Sequence, residues 1–487
     1  MRPDGREHTV DEPACIHETH ISWITLIGDR AYKLLKPLDT GFLDHRTREA
    51  RHEACLREVD QNRRFAPDVY LGVLDVVDGD GTARDHLIEM RRLPAARRLS
   101  ALARTPEAPA HVEAVGREIA AVHARAPRSP LIDRCGEGPH LRELWQDGWR
   151  QLGSAAPGVI DAAEIARAAR MAHRFLDGRT PLLRARIDEG WIRDGHGDLL
   201  ADDVYVTADG PRILDCLAFD DGLRAGDVLS DVAFLAMDLE SLGHPGLARA
   251  LVTAWSDALG EEHPESLLHH YIAYRAHVRA KVAALRHAQG DEGSGERARA
   301  LHALCLDHLR AGRVRLVMIG GAPGTGKSTV ARALSERTGW SLLATDALRS
   351  SVVGPPGPHG EAYGQGRYAE VARDRVYTQM RSAAGRELAL GRSVIVDASW
   401  SSASQRRVTR RLASDLSAEL VELRCEAPAE VCAQRIAARR DDPSEATAAV
   451  AARMRADFDP WPTADDIPTG GPLAASVARA ADRAGAG

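Results

Sequence analysis

Residues 321 to 328 read Gly321-Ala322-Pro323-Gly324-Thr325-Gly326-Lys327-Ser328, and Thr329 follows. This is the spacing G-x-x-x-x-G-K-[ST]. Its glycines let successive backbone N–H groups converge on phosphate oxygens, and a helix beginning there adds partial positive charge. Lys327 is expected to reach the β- and γ-phosphates, and the Ser328 hydroxyl to ligate Mg²⁺. The chemistry implied is the gripping of a nucleoside triphosphate, with ATP and Mg²⁺ as cofactors. A glycine turn alone would say little, so the flanking elements decide.

Those elements have the required form. Residues 314–319 are a short, mostly apolar, β-branched run, which reads as a buried parallel strand, and a helical pattern begins at Val330. Downstream, residues 340–345 form a short strand closed by Asp346, with Arg349 three residues later. Residues 354–366 are rich in Pro and Gly and read as an irregular insertion. A helix over 367–390 leads to a strand, 393–397, ending in Asp397. That acid suits the second Mg²⁺-coordinating element of a P-loop enzyme. A further strand covers 419–424. A helix over 431–440 sets Arg435 and Arg439 on one face with Arg440 beside them, and Asp441-Asp442-Pro443-Ser444 then breaks the chain before another helix. Strands alternating with helices give a parallel sheet covered on both faces, with ligands beyond the carboxyl ends of its strands. Asp346 equally suits a helix N-cap, and the arginines equally suit a solvated helix face.

The first half carries a second acidic constellation. His196-Gly197-Asp198 opens a loop that also holds Asp203. A strand and a turn at Asp209-Gly210 follow, and the returning strand ends at Asp215. Three carboxylates drawn together repel unless cations lie between them, and Mg²⁺ on nucleotide phosphates suits oxygen ligands. Before this island, residues 17–27 read as β structure, Gly28-Asp29 as a turn, and 30–37 as a returning strand stopped by proline. A helix over about 46–65 contains Glu58, and a strand pair, 70–77 and 86–90, crosses the turn Asp78-Gly79-Asp80-Gly81. From about 93 to 310 the chain is mostly helical. His302, Cys305 and His308 recur every three residues, which reads as a buried helix face more readily than as a zinc site. Tyr271, Arg275 and Arg279 share a helix face, either solvated or facing an anionic substrate. Residues 289–296 read as a flexible loop near the domain boundary, with a helix over 297–311 after it.

The chain has 487 residues, enough for two or three domains with separate cores. Its 64 basic and 70 acidic residues give a net charge of −6, which argues against a nucleic-acid or membrane-surface partner. Seven scattered cysteines without a C-x-x-C pair suit a reducing compartment. No signal-peptide core and no membrane-length apolar run is apparent, so a cytoplasmic location is expected.

Residues 16–310 resemble the aminoglycoside phosphotransferase family, which has the protein-kinase-like fold, and more narrowly its branch fused to a C-terminal P-loop kinase domain. The resemblance rests on Glu18-Thr19-His20-Ile21-Ser22-Trp23, Tyr32-Lys33, His196-Gly197-Asp198-Leu199, Asp215, and the run from Ala233 to Glu240. It implies Asp198 as the residue that orients or deprotonates an acceptor hydroxyl, Asp203 and Asp215 as Mg²⁺ ligands, and a nucleotide-binding pair of Lys33 with Glu58. Lys36 competes with Lys33, and Glu53 with Glu58. Two departures stand out: Leu200 replaces the usual His, and no G-x-G-x-x-G loop is present, so residues 19–23 would have to cover the phosphates. Asp203 also replaces the usual Asn. From 314 onward the chain resembles small P-loop kinases of hydroxyl groups: gluconate kinase, polynucleotide kinase, chloramphenicol phosphotransferase and zeta-type toxins. That resemblance implies Asp346 as base, Arg349 as a substrate- or phosphate-positioning residue, and a lid that carries the arginines from Arg435 to Arg440, Arg439 among them, and neutralises charge on the transferring phosphoryl group.

The expected architecture is therefore an α/β and α+β two-domain chain. A kinase-like domain would cover 1–310, with a small lobe at about 16–92 and a helical lobe at about 93–310. A P-loop domain with a parallel α/β sheet would cover 311–487. The expected activity is ATP-dependent transfer of the γ-phosphoryl group to a hydroxyl of a small polar acceptor such as a sugar, amino sugar, aminoglycoside or nucleoside. The alternatives are a nucleotide-sensing regulator with one degenerate kinase domain, and a polynucleotide 5′-kinase or toxin-type kinase at the C-terminus.

Overall fold

The computed structural model of the protein describes residues 14–39, 43–155, 157–353, 369–438 and 448–486. The chain divides into two compact units. One comprises Met1–Ile165, Arg184–His263 and Tyr271–His308; the other comprises Ala166–Leu183, Pro264–His270 and Leu309–Gly487.

The first unit opens with strands β1 (Cys15–Glu18), β2 (Ser22–Ile27), β3 (Arg30–Leu35), β4 (Tyr70–Val77) and β5 (Ala83–Arg91). They form one antiparallel sheet in the order β1-β2-β3-β5-β4. The expected β segment at 17–27 is thus two strands. Its interruption is a tight turn in which the Thr19 N–H donates to Ser22 O (2.8 Å) and the Ser22 N–H to Thr19 Oγ1 (2.9 Å). Helix Arg48–Asn62, capped by Thr47, packs on β4 and β5. Its buried stripe of Arg51, Cys55, Glu58, Val59 and Asn62 follows the helical period. Ala31, Leu35, Ile88 and Met90 of the sheet join Cys55 and Val59 in one apolar core.

A mainly helical lobe follows, interrupted by two short ladders. Strand β6 (Ile192–Asp194) pairs with β9 (Ala225–Asp227), and β7 (Val204–Thr207) with β8 (Gly210–Ile213). Helix Val228–Ser241 lies under these ladders and is buried along nearly its whole length. A sheet with one helix across it, joined to a helical lobe that carries the acidic loops, is the protein-kinase-like fold. The expected loop at 289–296 is shorter than its composition suggests, because helix Glu292–Ala311 starts at its second acid, and the Ser294 hydroxyl in the first turn donates to Asp291 just before it.

The second unit is a parallel five-stranded sheet. Strands β10 (Arg315–Gly320), β11 (Ser341–Ala344), β12 (Val394–Asp397), β13 (Glu419–Glu426) and β14 (Asp465–Pro468) stand in the order β11-β12-β10-β13-β14. Every residue of β10 and β12 is buried, which suits the apolar runs Leu316–Ile319 and Val394–Val396 within them. Helices Lys327–Thr338, Thr345–Val353, Glu370–Ala389, Ala403–Asp415, Ala429–Ala437, Ala448–Ala456 and Leu473–Arg483 complete the unit. The Pro/Gly-rich stretch 354–366 lies outside the described residues. No described helix is long and apolar enough to cross a membrane.

Two candidate nucleotide sites

In the second unit, the phosphate loop joins the end of β10 to helix Lys327–Thr338. Gly321 and Gly324 hold φ of +142° and +86°, which disfavour a side chain. A Cβ at Gly324 would lie 2.7 Å from Cys432 O, so the loop is also sterically closed to anything larger. Gly326 precedes the helix without any side-chain cap. The first helical N–H groups, at Lys327, Ser328 and Thr329, therefore face the loop interior, where an anion can satisfy them. Thr325 Oγ1 donates to Ala322 O (2.8 Å) and Thr469 Oγ1 to Thr325 O (2.5 Å), which tighten the loop.

The acids expected beside this loop are there. Asp397 ends β12, next to β10, and is buried. Burial raises its carboxyl, while Lys327 and a hydrogen bond from Ser328 pull the other way, and Asp346 adds to the upward push. Its Oδ1 has no hydrogen-bond partner among the described residues. A buried carboxylate oxygen left open beside a Ser hydroxyl, a Lys and a glycine cradle fits Mg²⁺ bound to nucleotide phosphates. Asp346 lies in the first turn of helix Thr345–Val353, inside the helix and not at its cap, and Arg349 Nη1 donates to its Oδ1 at 2.8 Å. Arg439 and Arg440 lie outside the described residues. Arg435, on the expected arginine face, touches the loop: Nη2 donates to Thr469 O (2.7 Å) and Nη1 to Gly324 O (3.4 Å).

In the first unit, Lys33 Nζ donates to Glu58 Oε1 (2.7 Å) and lies 3.4 Å from Asp215 Oδ1. Lys36 instead binds Glu18 Oε1 and Thr19 O, each at 2.6 Å, and so clamps the β1–β2 turn. Of the competing pairs, Lys33 with Glu58 is the one the fold assembles. Burial pulls the Lys33 ammonium down, but Glu58, Asp215 and Tyr70 more than offset this and keep it protonated. Asp215 sits two residues past β8 with φ +63°, a left-handed conformation held by its N–H bond to the Tyr70 hydroxyl (3.1 Å). A cavity of about 350 Å³ borders Lys33, Glu58, Asp198 and Asp215.

The carboxylates of the acidic loop do converge electrostatically. Burial, then Asp215 and Asp198, push Asp203 up to about 8. Burial also raises Asp198, which Arg279 counters from 3.9 Å. Acids strained toward protonation by one another suit a divalent cation. Among the described residues, no three His, Cys, Asp or Glu side chains form a metal cage by themselves. Asp203 and Asp215 are the side chains that would hold Mg²⁺ here, an ion suited to oxygen ligands.

The residues that position this loop escaped the sequence reading. Asp231 accepts from the His196 N–H (2.7 Å) and the Gly197 N–H (2.9 Å), and it pairs with buried His123 at 3.1 Å. Asp238, seven residues on, accepts from the Ala201 N–H at 2.9 Å. Acids spaced by whole turns in an otherwise apolar buried helix were the available signal. Arg275 donates to Ser230 O (3.1 Å) and Gly197 O (3.3 Å), and Tyr271 to Asp227 Oδ2 (3.1 Å). That helix face thus braces the acidic loop. His302, Cys305 and His308 are buried, and His308 pairs with Glu240 at 2.7 Å, as a core face would.

An uncharacterized protein of Mycobacterium tuberculosis is 39% identical to this chain over 480 residues, covering 96% of this chain and 95% of its own. One from Mycobacterium bovis matches to the same extent. The chain belongs to their family. In this chain a kinase-like unit and a P-loop unit occur in one polypeptide. A family model described as an AAA domain matches residues 316–461 of this member. A choline/ethanolamine kinase family protein from Mesorhizobium loti superposes with a TM-score of 0.37 at 15% identity, covering 62% of this chain and 93% of that one. A gluconokinase from Sinorhizobium meliloti 1021 does so with a TM-score of 0.25 at 22% identity, covering 35% of this chain and 90% of that one.

Proposed function

We propose that the protein is a bifunctional ATP-dependent phosphotransferase, with each unit moving the γ-phosphoryl group of ATP to a hydroxyl of a small polar acceptor. The observation that carries this reading is a parallel one. Each unit independently brings together a lysine, a strand-end carboxylate and a further acid: Lys33, Asp215 and Asp198 in the first, Lys327, Asp397 and Asp346 in the second. Phosphoryl transfer asks little covalent chemistry of a protein; it needs alignment and charge stabilisation. Mg²⁺, when bound, neutralises phosphate charge. Lys33, held by Glu58, and Lys327 would bind phosphate oxygens. Asp198 and Asp346 would orient the acceptor hydroxyl and take its proton, and Arg349 would hold Asp346 in place.

A regulatory reading keeps one specific support. The Thr19 and Ser22 N–H groups are spent inside the β1–β2 turn, so that turn offers a nucleotide fewer donors than a glycine loop would. One experiment separates the two. ADP release is measured for the full chain against sugars, amino sugars, aminoglycosides and nucleosides, then repeated with Asp198→Asn and Asp346→Asn. Each substitution is expected to lower turnover of a different acceptor set by at least about a hundredfold, the scale of losing a general base. Turnover abolished by Lys327→Ala and untouched by Asp198→Asn would leave the first unit as a sensor.

A further inference from the structure

Beside the phosphate loop of the second unit lies a polar wall. Helix Thr345–Val353, which carries Arg349, packs on helix Glu370–Ala389. Arg373 and Tyr377 are one turn apart on the latter and share a face. The Tyr377 hydroxyl accepts from the Trp400 N–H at 3.3 Å and lies 3.4 Å from Ser399 Oγ, which is 3.5 Å from Ser401 Oγ. Ser399 O in turn accepts from the Gly321 N–H at 3.2 Å, so the wall adjoins the phosphate loop. Burial pushes the Tyr377 phenol up, while the hydrogen bonds with Ser399 and the Trp400 N–H, and after them Arg373 and Arg349, pull it back.

The charges on this wall are uneven. Arg349 is matched by Asp346 at 2.8 Å. Asp374, the acid next to Arg373, is turned toward Gln405 Nε2 at 2.6 Å. The Arg373 Nε is buried without a hydrogen-bond partner among the described residues. A buried charged donor left open is costly, and a planar guanidinium is shaped for a carboxylate or phosphate. Resting on the phosphotransferase reading of this unit, we infer that its acceptor carries an oxyanion, a phosphate or a carboxylate, gripped by Arg373 with Tyr377 and Ser399 beside it, while the acceptor hydroxyl faces Asp346. A neutral or cationic acceptor would leave the Arg373 Nε without a partner.

The test uses the full chain carrying Asp198→Asn, which isolates the second unit. Glycerol, glycerol 3-phosphate and glycerate, then glucose, glucose 6-phosphate and gluconate, are compared by ADP release and by the thermal shift each produces in the presence of ADP. One or both anionic members of a set are expected to exceed the neutral one about tenfold or more in kcat/KM or in affinity, the scale of one charge-assisted hydrogen bond. Phosphate against carboxylate tells which oxyanion is preferred. Arg373→Gln is expected to remove that advantage, mainly through KM, and Arg373→Lys to restore part of it. Anion-selective thermal shifts lost in Arg373→Gln, with no ADP release from any probe, would keep the anion site and remove the phosphotransferase reading. Equal response to neutral and anionic probes, or anion selectivity unchanged in Arg373→Gln, overturns the proposal.

Discussion

Lys33 shows how much one side chain's direction decides. Strand β3 alternates, burying Ala31, Lys33 and Leu35, so a charged residue holds a core position in a strand of otherwise ordinary pattern. Lys36 falls beyond the strand. Glu58 lies on the buried stripe of its helix, whereas Glu53 is exposed. Both competitions were therefore decidable from strand and helix periods, although the residue types alone left them open. Breaking a buried pair strands the remaining charge. Glu58→Gln should thus destabilise the first unit by about 3 kcal/mol in urea unfolding, against roughly 0.5 kcal/mol or less for Glu53→Gln. Similar losses from both would contradict the pairing. Asp203 adds a pH signature. Its folded-state value of about 8 lies above the ordinary 3.8. Between those values the folded chain keeps a proton that the unfolded chain has released, so stability without Mg²⁺ should fall as pH rises from about 4 to about 8. Asp203→Asn should flatten that slope in thermal unfolding followed across pH. An unchanged slope would mean that Asp203 is not the group being protonated.

At the scale of elements, patterned apolar runs were legible and alanine-rich ones were not. The buried strands β10 and β12 stand out through the apolar runs Leu316–Ile319 and Val394–Val396. Helix Leu473–Arg483 buries only Ser476, Val477, Ala480 and Ala481, and such small side chains give little hydropathy contrast with the exposed face. Strand β14 ends in proline at the sheet edge and carries two acids, so it does not resemble a strand in sequence. Helix ends pose a further problem that sequence reading passed over. The buried Arg179 donates to Leu388 O, and through Nη2 to Leu416 O at 2.9 Å, which caps the carbonyl ends of helices Glu370–Ala389 and Ala403–Asp415 together. Burial, then Arg174, pull its pKa down to about 10, so it stays a cation at neutral pH. Gly178 abuts the same turn, where an added Cβ would sit 2.1 Å from Leu416 O. Arg179→Met should cost about 2–4 kcal/mol, since two buried carbonyls lose a charged donor. Gly178→Ala should also destabilise, with no change of charge. A thermal midpoint unmoved in both variants would show that these helix ends need no such cap.

The whole molecule makes that cap consequential, because Arg179 comes from far outside the P-loop sequence. The second unit takes in Ala166–Leu183 and Pro264–His270 together with everything from Leu309 onward. Ser266 Oγ donates to Gly391 O at 2.6 Å, in the turn that leads into β12 and so toward Asp397. Phe175 stacks on His270 at 4.3 Å, joining the two inserted segments. Neither segment carries a nucleotide motif, and no local pattern in 166–183 or 264–270 points to a partner more than a hundred residues away. The phosphate loop was legible because its function depends on a short contiguous stretch, whereas this packing is long-range. A chain cut to residues 311–487 keeps every P-loop residue but leaves the Leu388, Gly391 and Leu416 carbonyls without these donors. It should therefore melt well below the full chain, by roughly ten degrees or more, given that about 1 kcal/mol shifts a domain of this size by a few degrees. Calorimetry on the fragment, and on one extended by a linked copy of 166–183, checks this. The extension should recover part of the loss in the wild-type sequence and none of it with Arg179→Met. A fragment as stable as the full chain would mean that the parallel sheet and its own helices suffice, and that the two inserted segments add nothing to it.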